Sequence, residues 1–383
     1  MEIYFDNAAT TKPSEAALAE FNRVSTECFG NPASLHMKGL AAEKVITAAS
    51  KTIAGLIGAK PDEIFYTSGG TESNNLAIFG AMKPFRAARR LNAVTTAAEH
   101  PSVLECFATL ENMGFETTVV PVDKGIVDID GLIECINENT RLVSVSYVNN
   151  ETGAITDIER LGGLIKSKNP SALFHVDAVQ AFGKYKINTA KSKIDLLSLS
   201  AHKVHGLKGT GALYIRNGIV LDPIIHGGGQ QKNIRPGTEN PSGAAAFATA
   251  AEECYNQLDS AFANAVMIKN VLNGVANQLT DVFINSGEES SPFITNVSFM
   301  GVRAEVLLHA LEASGITASA GSACSSKDKL NKALAKMGFD KTRAESAVRF
   351  STSRFNTVNE AEFVVEKLVE CVPVLRKYGG LKG

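Results

Sequence analysis

The sequence predicts an α/β protein built on a mostly parallel sheet, followed by a smaller α+β unit. Three observations carry that expectation. From about residue 15 to residue 217, amphipathic helical patterns alternate with short β-branched or apolar runs, and strand–helix–strand order favours parallel pairing with both sheet faces covered. After residue 280 the character of the chain changes and the alternation is lost. The residues with chemical potential fall just after predicted strands or in loops, where ligands sit in sheets of this kind.

The elements follow in order. Ala42, Val45, Ile46, Ala49, Ile53 and Leu56 recur at helical spacing within 41–56. Ile64–Thr67 reads as a strand, Ser68-Gly69-Gly70 as a turn, and Asn75–Ile78 as part of the next helix. Further strands are expected at 93–95, 142–148, 173–176, 195–198 and 212–215. The alanine-rich stretch 241–279 reads as one long helix or two. Strands at 282–285, 294–299 and 348–352, with helices at 303–314 and 359–375, make the smaller unit. The expected division is a large domain over 15–258, with 1–14 and 259–383 forming the small one.

Composition bounds the function. The 383 residues are 44% hydrophobic and 20% charged, the balance of an ordinary soluble globular protein. A net charge of −2 gives no basic surface for nucleic acid or an anionic membrane. No apolar run reaches transmembrane length. Met1–Asp6 lacks the basic and apolar regions of an export signal, so a cytoplasmic location is expected. The six cysteines (Cys28, Cys106, Cys135, Cys254, Cys324 and Cys371) form no CxxC pair and no zinc-finger spacing. Reduced thiols are expected, and no metal. His202 and His205 flank a lysine and lack a third ligand.

That lysine, Lys203, follows the strand-like run Ile194–Leu197 within Ser198-Leu199-Ser200-Ala201-His202-Lys203. Burial lowers an ammonium's pKa and exposes a nucleophilic amine. Such an amine forms Schiff bases with aldehydes, and pyridoxal phosphate is the common aldehyde cofactor. Four other features bear on that idea, each with a plainer alternative. Ser68–Ser73 joins a strand to a helix start and is either a phosphate cup or a plain N-cap. Asp177 ends an apolar strand, either to hold a pyridinium nitrogen or to cap a helix. His100 either stacks on a ring and shuttles protons or is structural. Cys324 lies in the small-residue run 318–326, as a presented nucleophile or as an inert packed thiol. His226-Gly227-Gly228-Gly229 is like the oxyanion loop of some esterases, but no GxSxG elbow accompanies it, which removes the hydrolase reading.

Together these blocks resemble the cysteine desulfurases of the NifS/IscS type, among the class V, fold-type I pyridoxal-phosphate enzymes. The resemblance runs nearly end to end, through 4–11, 29–36, 67–74, Glu99-His100, 148–153, 175–177, 200–203, 226–230, 235–238, 321–326 and 348–351. It implies a large domain with a mostly parallel sheet of the seven-stranded type. It also implies roles. Lys203 would carry the cofactor, and Gly70, Thr71, Ser200 and His202 would bind its phosphate. Thr238 would reach the phosphate of the other subunit in a homodimer. Asp177 would pair with the ring nitrogen, Gln180 with the ring hydroxyl, and His100 with the ring face. Asn149 and Arg349 would take the substrate carboxylate, Asn31 would touch substrate, and Asn149 would also neighbour the cofactor. Cys324 would attack the sulfur of L-cysteine, giving L-alanine and a persulfide for a sulfur-acceptor protein, as in iron–sulfur cluster assembly. The basic stretch 327–334 departs from the family's usual sequence there. A selenocysteine lyase or other class V lyase, and a non-catalytic assembly scaffold, are the alternatives.

Overall fold

The computed structural model describes residues 2–83, 91–320 and 332–379. In chain order its strands are β1 (Ile3–Tyr4), β2 (Ile64–Thr67), β3 (Asn92–Thr96), β4 (Glu116–Val120), β5 (Val122–Asp123), β6 (Ile126–Val127) and β7 (Thr140–Ser146). They continue as β8 (Leu173–Asp177), β9 (Leu196–Ser200), β10 (Gly211–Ile215), β11 (Val282–Ile284), β12 (Ile294–Phe299), β13 (Ile316–Thr317) and β14 (Ala347–Ser351). The helices are α1 (Glu15–Glu27), α2 (Met37–Ile57), α3 (Gly70–Met82), α4 (Pro101–Asn112), α5 (Ile129–Glu134) and α6 (Ile158–Lys168). They end with α7 (Pro241–Asn256), α8 (Leu258–Asn273), α9 (Ala304–Glu312), α10 (Lys332–Lys336), α11 (Lys341–Glu345) and α12 (Val358–Gly379).

A seven-stranded sheet, in the order β2-β10-β9-β8-β7-β3-β4, forms the centre. Its pairings are parallel except those of β10, which runs against both β2 and β9. The connection from β9 to β10 is too short for a crossover helix, so antiparallel return is the only option. Successive strand residues face opposite sides. Thus Val143, Leu197 and Tyr214 pack with Ile53, Leu161 and Phe247 from α2, α6 and α7. Leu142, Leu196 and Leu213 pack with Leu76 and Phe107 from α3 and α4 on the other face.

A separate core gathers Ile3 and Phe5 with residues of α8, α9, α12 and the antiparallel sheet β11-β12-β14. β1 pairs with β13, and the chain after it crosses to the large sheet, where Thr11 N donates to His202 O at 2.9 Å. The 241–279 stretch breaks at Gln257 into α7 and α8. The strand expected at 142–148 runs from Thr140 to Ser146, because Tyr147 N turns to donate to Asp177 O. The edge strand β4 carried no hydrophobic alternation to reveal it, being largely exposed.

Two buried polar clusters fasten the sheet. His175 bridges β7 to β9 through Ser144 Oγ at 2.8 Å and Ser198 Oγ at 2.9 Å. Asp195, fully buried at the amino end of β9, accepts from Phe174 N at 2.7 Å, Lys166 Nζ at 2.5 Å and Arg216 Nε at 2.7 Å. Asp195→Ala leaves two cations and a backbone donor without their anion. It should lower unfolding free energy by about 3–5 kcal/mol, read as a shifted urea midpoint at unchanged slope.

Candidate functional site

Strand β9 runs into a 3-10 turn, Ala201–Lys203, at the carboxyl end of the sheet. The Lys203 ammonium donates to the carbonyls of Ala8, at 2.5 Å, and Ala9, at 2.6 Å. Burial, then the positive charges of Arg349 and Lys184, pull its pKa down to about 7, against the opposing pull of Asp6 and Asp177. Near neutral pH much of Lys203 is therefore a free amine.

Lys203 lines a cavity of about 730 Å³ that also takes in Gly70, Thr71, His100, Asp177, Gln180, Ser200, His202 and Arg349. One end suits an anion. Helix α3 opens at Gly70 behind Gly69, which has no side chain to cap it, so the first-turn N–H groups lack a side-chain cap among the described residues. Gly69 holds a φ of +155°, and a Cβ on Gly70 would lie 2.7 Å from Val179 Cγ2. Both positions therefore demand glycine. Ser200 Oγ is buried there with no partner among the described residues. His202 meets Thr10 Oγ1 at 3.1 Å, and burial with the Lys203 charge lowers its pKa to about 4, so it stays neutral.

At the floor, Asp177 Oδ1 accepts from Val179 N at 3.0 Å and Oδ2 from Asn74 Nδ2 at 2.7 Å. The N-cap alternative for Asp177 fails, because no helix follows β8 directly. His100 stands at the N-cap of α4, its imidazole open to the cavity. Crowding by the protein, with the charge of Lys203, lowers its pKa, while Asp177 opposes this. Gln180 Nε2 donates to Ala8 O at 2.8 Å, and Oε1 accepts from Lys184 Nζ at 3.2 Å.

At the far wall, Arg349 is buried between two carboxylates. Its Nη1 donates to Asn150 O at 2.8 Å and Glu151 Oε1 at 3.2 Å, and Nη2 to Asp6 Oδ1 at 3.1 Å. Burial raises the pKa of both Asp6 and Glu151 although Arg349 lowers each. Arg349 Nε has no partner among the described residues.

Not every expected residue arrives. Asn149 is not on the cavity wall. Its Nδ2 donates to Ala98 O, and its Oδ1 accepts from Glu151 N, Thr152 N and Thr152 Oγ1. These bonds brace the loop, and the second hydrogen of Nδ2 has no acceptor among the described residues. Asn31 is exposed, its Oδ1 accepting from Ala33 N, away from the cavity. Thr238 is exposed outside the cavity of its own chain. Cys324 lies outside the described residues. The chain leading to it is fastened at the wall, since Ser319 lines the cavity and pairs with Arg349 through N–H···O bonds of 3.1 and 2.6 Å. Sequence reasoning missed Asn74, Ser102, Glu151, Asp6 and Lys184 as site residues. All but Ser102 and Lys184 stand inside the blocks that carried the resemblance. Among the described residues no group of three potential ligands could hold a metal, and no helix is long and apolar enough to cross a membrane.

The fold and this lysine-centred cavity define a class. Residues 3–364 match the aminotransferase class-V family model, and the chain belongs to that family. A cysteine desulfurase of Nostoc sp. is 36% identical over 99% of this chain and 95% of its own length. A solved NifS-like protein superposes with a TM-score of 0.92 at 36% identity, covering 98% of this chain and all of its own. The solved structure titled SspA in complex with cysteine gives a TM-score of 0.82 at 30% identity over 93% of this chain and 100% of its own. Within the class-V family, the chain falls among the NifS-like cysteine desulfurases.

Two outcomes follow from the buried amines. Acylation of Lys203 in the cofactor-free protein should rise with pH around a midpoint near 7, against about 10.4 for a free lysine, as read by peptide mass spectrometry. Lys184 is buried with its pKa lowered to about 8. Between there and the unfolded value, the unfolded chain holds the proton and the folded chain does not, so stability rises with pH across that window. Lys184→Met should remove that slope and stabilise the fold by about 3 kcal/mol below the window. It should also move the Lys203 midpoint upward.

Proposed function

We propose that this enzyme takes sulfur from L-cysteine through pyridoxal phosphate, releases L-alanine, and leaves the sulfur as a persulfide on Cys324. The observation that carries the reading is the free amine of Lys203 held between an anion cup and a carboxylate floor, facing Arg349. Pyridoxal phosphate fits these residues. The unpartnered Ser200 Oγ and the uncapped start of α3 suit its phosphate, and Asp177 suits its ring nitrogen. When bound, this cofactor supplies an electron sink for charge at the substrate's α-carbon.

The chain's own groups supply the rest. Lys203 would hold the cofactor through its free amine, and the same amine would take the proton from the substrate's α-carbon. Gly70, Thr71, Ser200 and His202 would hold the phosphate, and Gln180 would serve the ring hydroxyl. Asp6 and Glu151 hold the fork of Arg349, whose unpartnered Nε is left for the substrate carboxylate. His100 would lie against the cofactor and would handle a proton at Nε2. Cys324 is five residues beyond Ser319, within about 18 Å of chain reach. Its thiolate attacks the substrate sulfur, the S–S bond forms, and the C–S bond breaks with its electron pair passing to carbon. A proton on that carbon completes alanine.

The two hydrophobic cores support a large domain over 15–258 and a small one from 1–14 with 259–383. We place Thr238 on the cofactor phosphate of a second subunit, in a homodimer that works in the cytoplasm. The persulfide passes to an acceptor protein for iron–sulfur cluster assembly. Cysteine bound in the SspA structure supports the substrate class.

The test is mass spectrometry after treatment with cysteine. The peptide holding Cys324 should gain one sulfur, and Cys324→Ala should release neither alanine nor sulfide. Full cysteine turnover by Cys324→Ala, or added sulfur confined to another cysteine, would overturn the assignment. A colourless Lys203→Ala protein beside a yellow parent would support the cofactor.

A further inference from the structure

The hydrogen bonds beneath His100 have a direction, and it reads from one end. A carboxylate oxygen only accepts, so the atom 2.7 Å from Asp177 Oδ2 is the Asn74 amide nitrogen, a donor. The second hydrogen of that nitrogen points at Ser102 Oγ, 2.8 Å away. Ser102 Oγ thus accepts from Asn74 and keeps its own hydrogen. Asn74 Oδ1 has no partner among the described residues, so it does not draw that hydrogen back. The acceptor in reach is His100 Nδ1, at 2.8 Å.

A second donor meets the same nitrogen. His100 caps α4, with Ser102 N donating to Nδ1 at 3.1 Å. Pro101 has no N–H, so Ser102 carries the first free donor of the helix. With both the hydroxyl and the amide of Ser102 aimed at it, Nδ1 cannot carry a hydrogen without setting donor against donor. The neutral ring must therefore hold its hydrogen on Nε2, which has no partner among the described residues.

We propose that Asn74 and Ser102 are positioning residues that lock His100 as the Nε2–H imidazole, so that it meets the reacting groups as a hydrogen donor at Nε2. The role in turnover rests on the function proposed above; the tautomer does not. Charges around the ring agree in part. The Lys203 ammonium and the positive end of α4 oppose an imidazolium, and Asp177 favours one. Glu99 precedes the ring in the chain and Glu105 lines the groove on its outer side. Burial raises Glu99 to about 7, so it is only partly charged at neutral pH. A neutral ring held by a helix start can polarise a group without first gaining a proton.

The experiment is nitrogen-15 spectroscopy of the histidine rings in the full-length, cofactor-free protein. The protein has seven histidines, and His100→Gln identifies the signal. The expected spectrum shows a protonated Nε2 and a bare Nδ1 across neutral pH. Ser102→Ala should move the tautomer ratio toward Nδ1–H by about fivefold, the worth of one hydrogen bond. Asn74→Ala should move it the same way, and Ser102→Thr should restore it. An Nδ1–H or evenly mixed ring in the parent, or an unmoved ratio in Ser102→Ala, overturns the proposal. Neither result depends on cysteine turnover, so a protein that desulfurates cysteine with an Nδ1–H ring defeats the lock alone.

Discussion

The site depends on one constraint, the partial burial of the Lys203 amine beside other positive charges. Among the described residues, the backbone carbonyls of Ala8 and Ala9 receive that group. They belong to a segment from the opposite end of the chain, so the amine is set only when that segment has wrapped onto the sheet. Ala8 N is held by Ser351 Oγ at 2.8 Å, His205 N by Thr11 Oγ1 at 2.8 Å, and Ser14 N by His205 O at 2.8 Å. The same strap feeds Ile3 and Phe5 into the second core. The pKa of Lys203 is thus a consequence of how the two cores are joined.

Charge is balanced across the cavity and not within pairs. Lys203, Lys184 and Arg349 stand against Asp6, Glu151 and Asp177, and each cation depresses the next. Lys184 has no carboxylate partner among the described residues. It donates to Gln180 and stands 5.8 Å from the Phe293 ring. A buried cation placed this way costs stability and lowers its neighbour's pKa, which is the trade a nucleophilic lysine needs. At the anion-binding end His202 is neutral, and the backbone N–H groups at the start of α3 supply attraction there beside Lys208, which also lines the cavity.

Much of this was legible from residue patterns. Ile294–Phe299 appears as expected, and 64–67, 212–215 and 348–352 shift by a residue at most. Period-two apolar runs and glycine turns report local backbone preference, which survives folding. Lys203, Asp177, His100, Gly70 and Ser200 meet at one cavity because each ends or soon follows a strand, and strand ends converge. At Asn149 the motif shows an amide but not its partners, which are Ala98 O and, within its own loop, Glu151 N, Thr152 N and Thr152 Oγ1. Ser102 went unseen because a serine after a helix-starting proline looks like a turn residue. Its partner Asn74 is 28 positions away.

By itself, the sequence determined the alternation of elements, the glycines that an anion cup requires, and the lysine, aspartate and arginine whose chemistry points to a cofactor-bound amino acid. These are properties of residue type and local spacing, which the chain carries before it folds. Tertiary structure alone decided the rest: that the Lys203 amine is partly buried beside Arg349 and Lys184, that Arg349 is flanked by Asp6 and Glu151, and that one asparagine and one serine set which nitrogen of His100 holds its hydrogen. Each of these turns on the distance and direction between groups far apart in the chain, and only packing sets those.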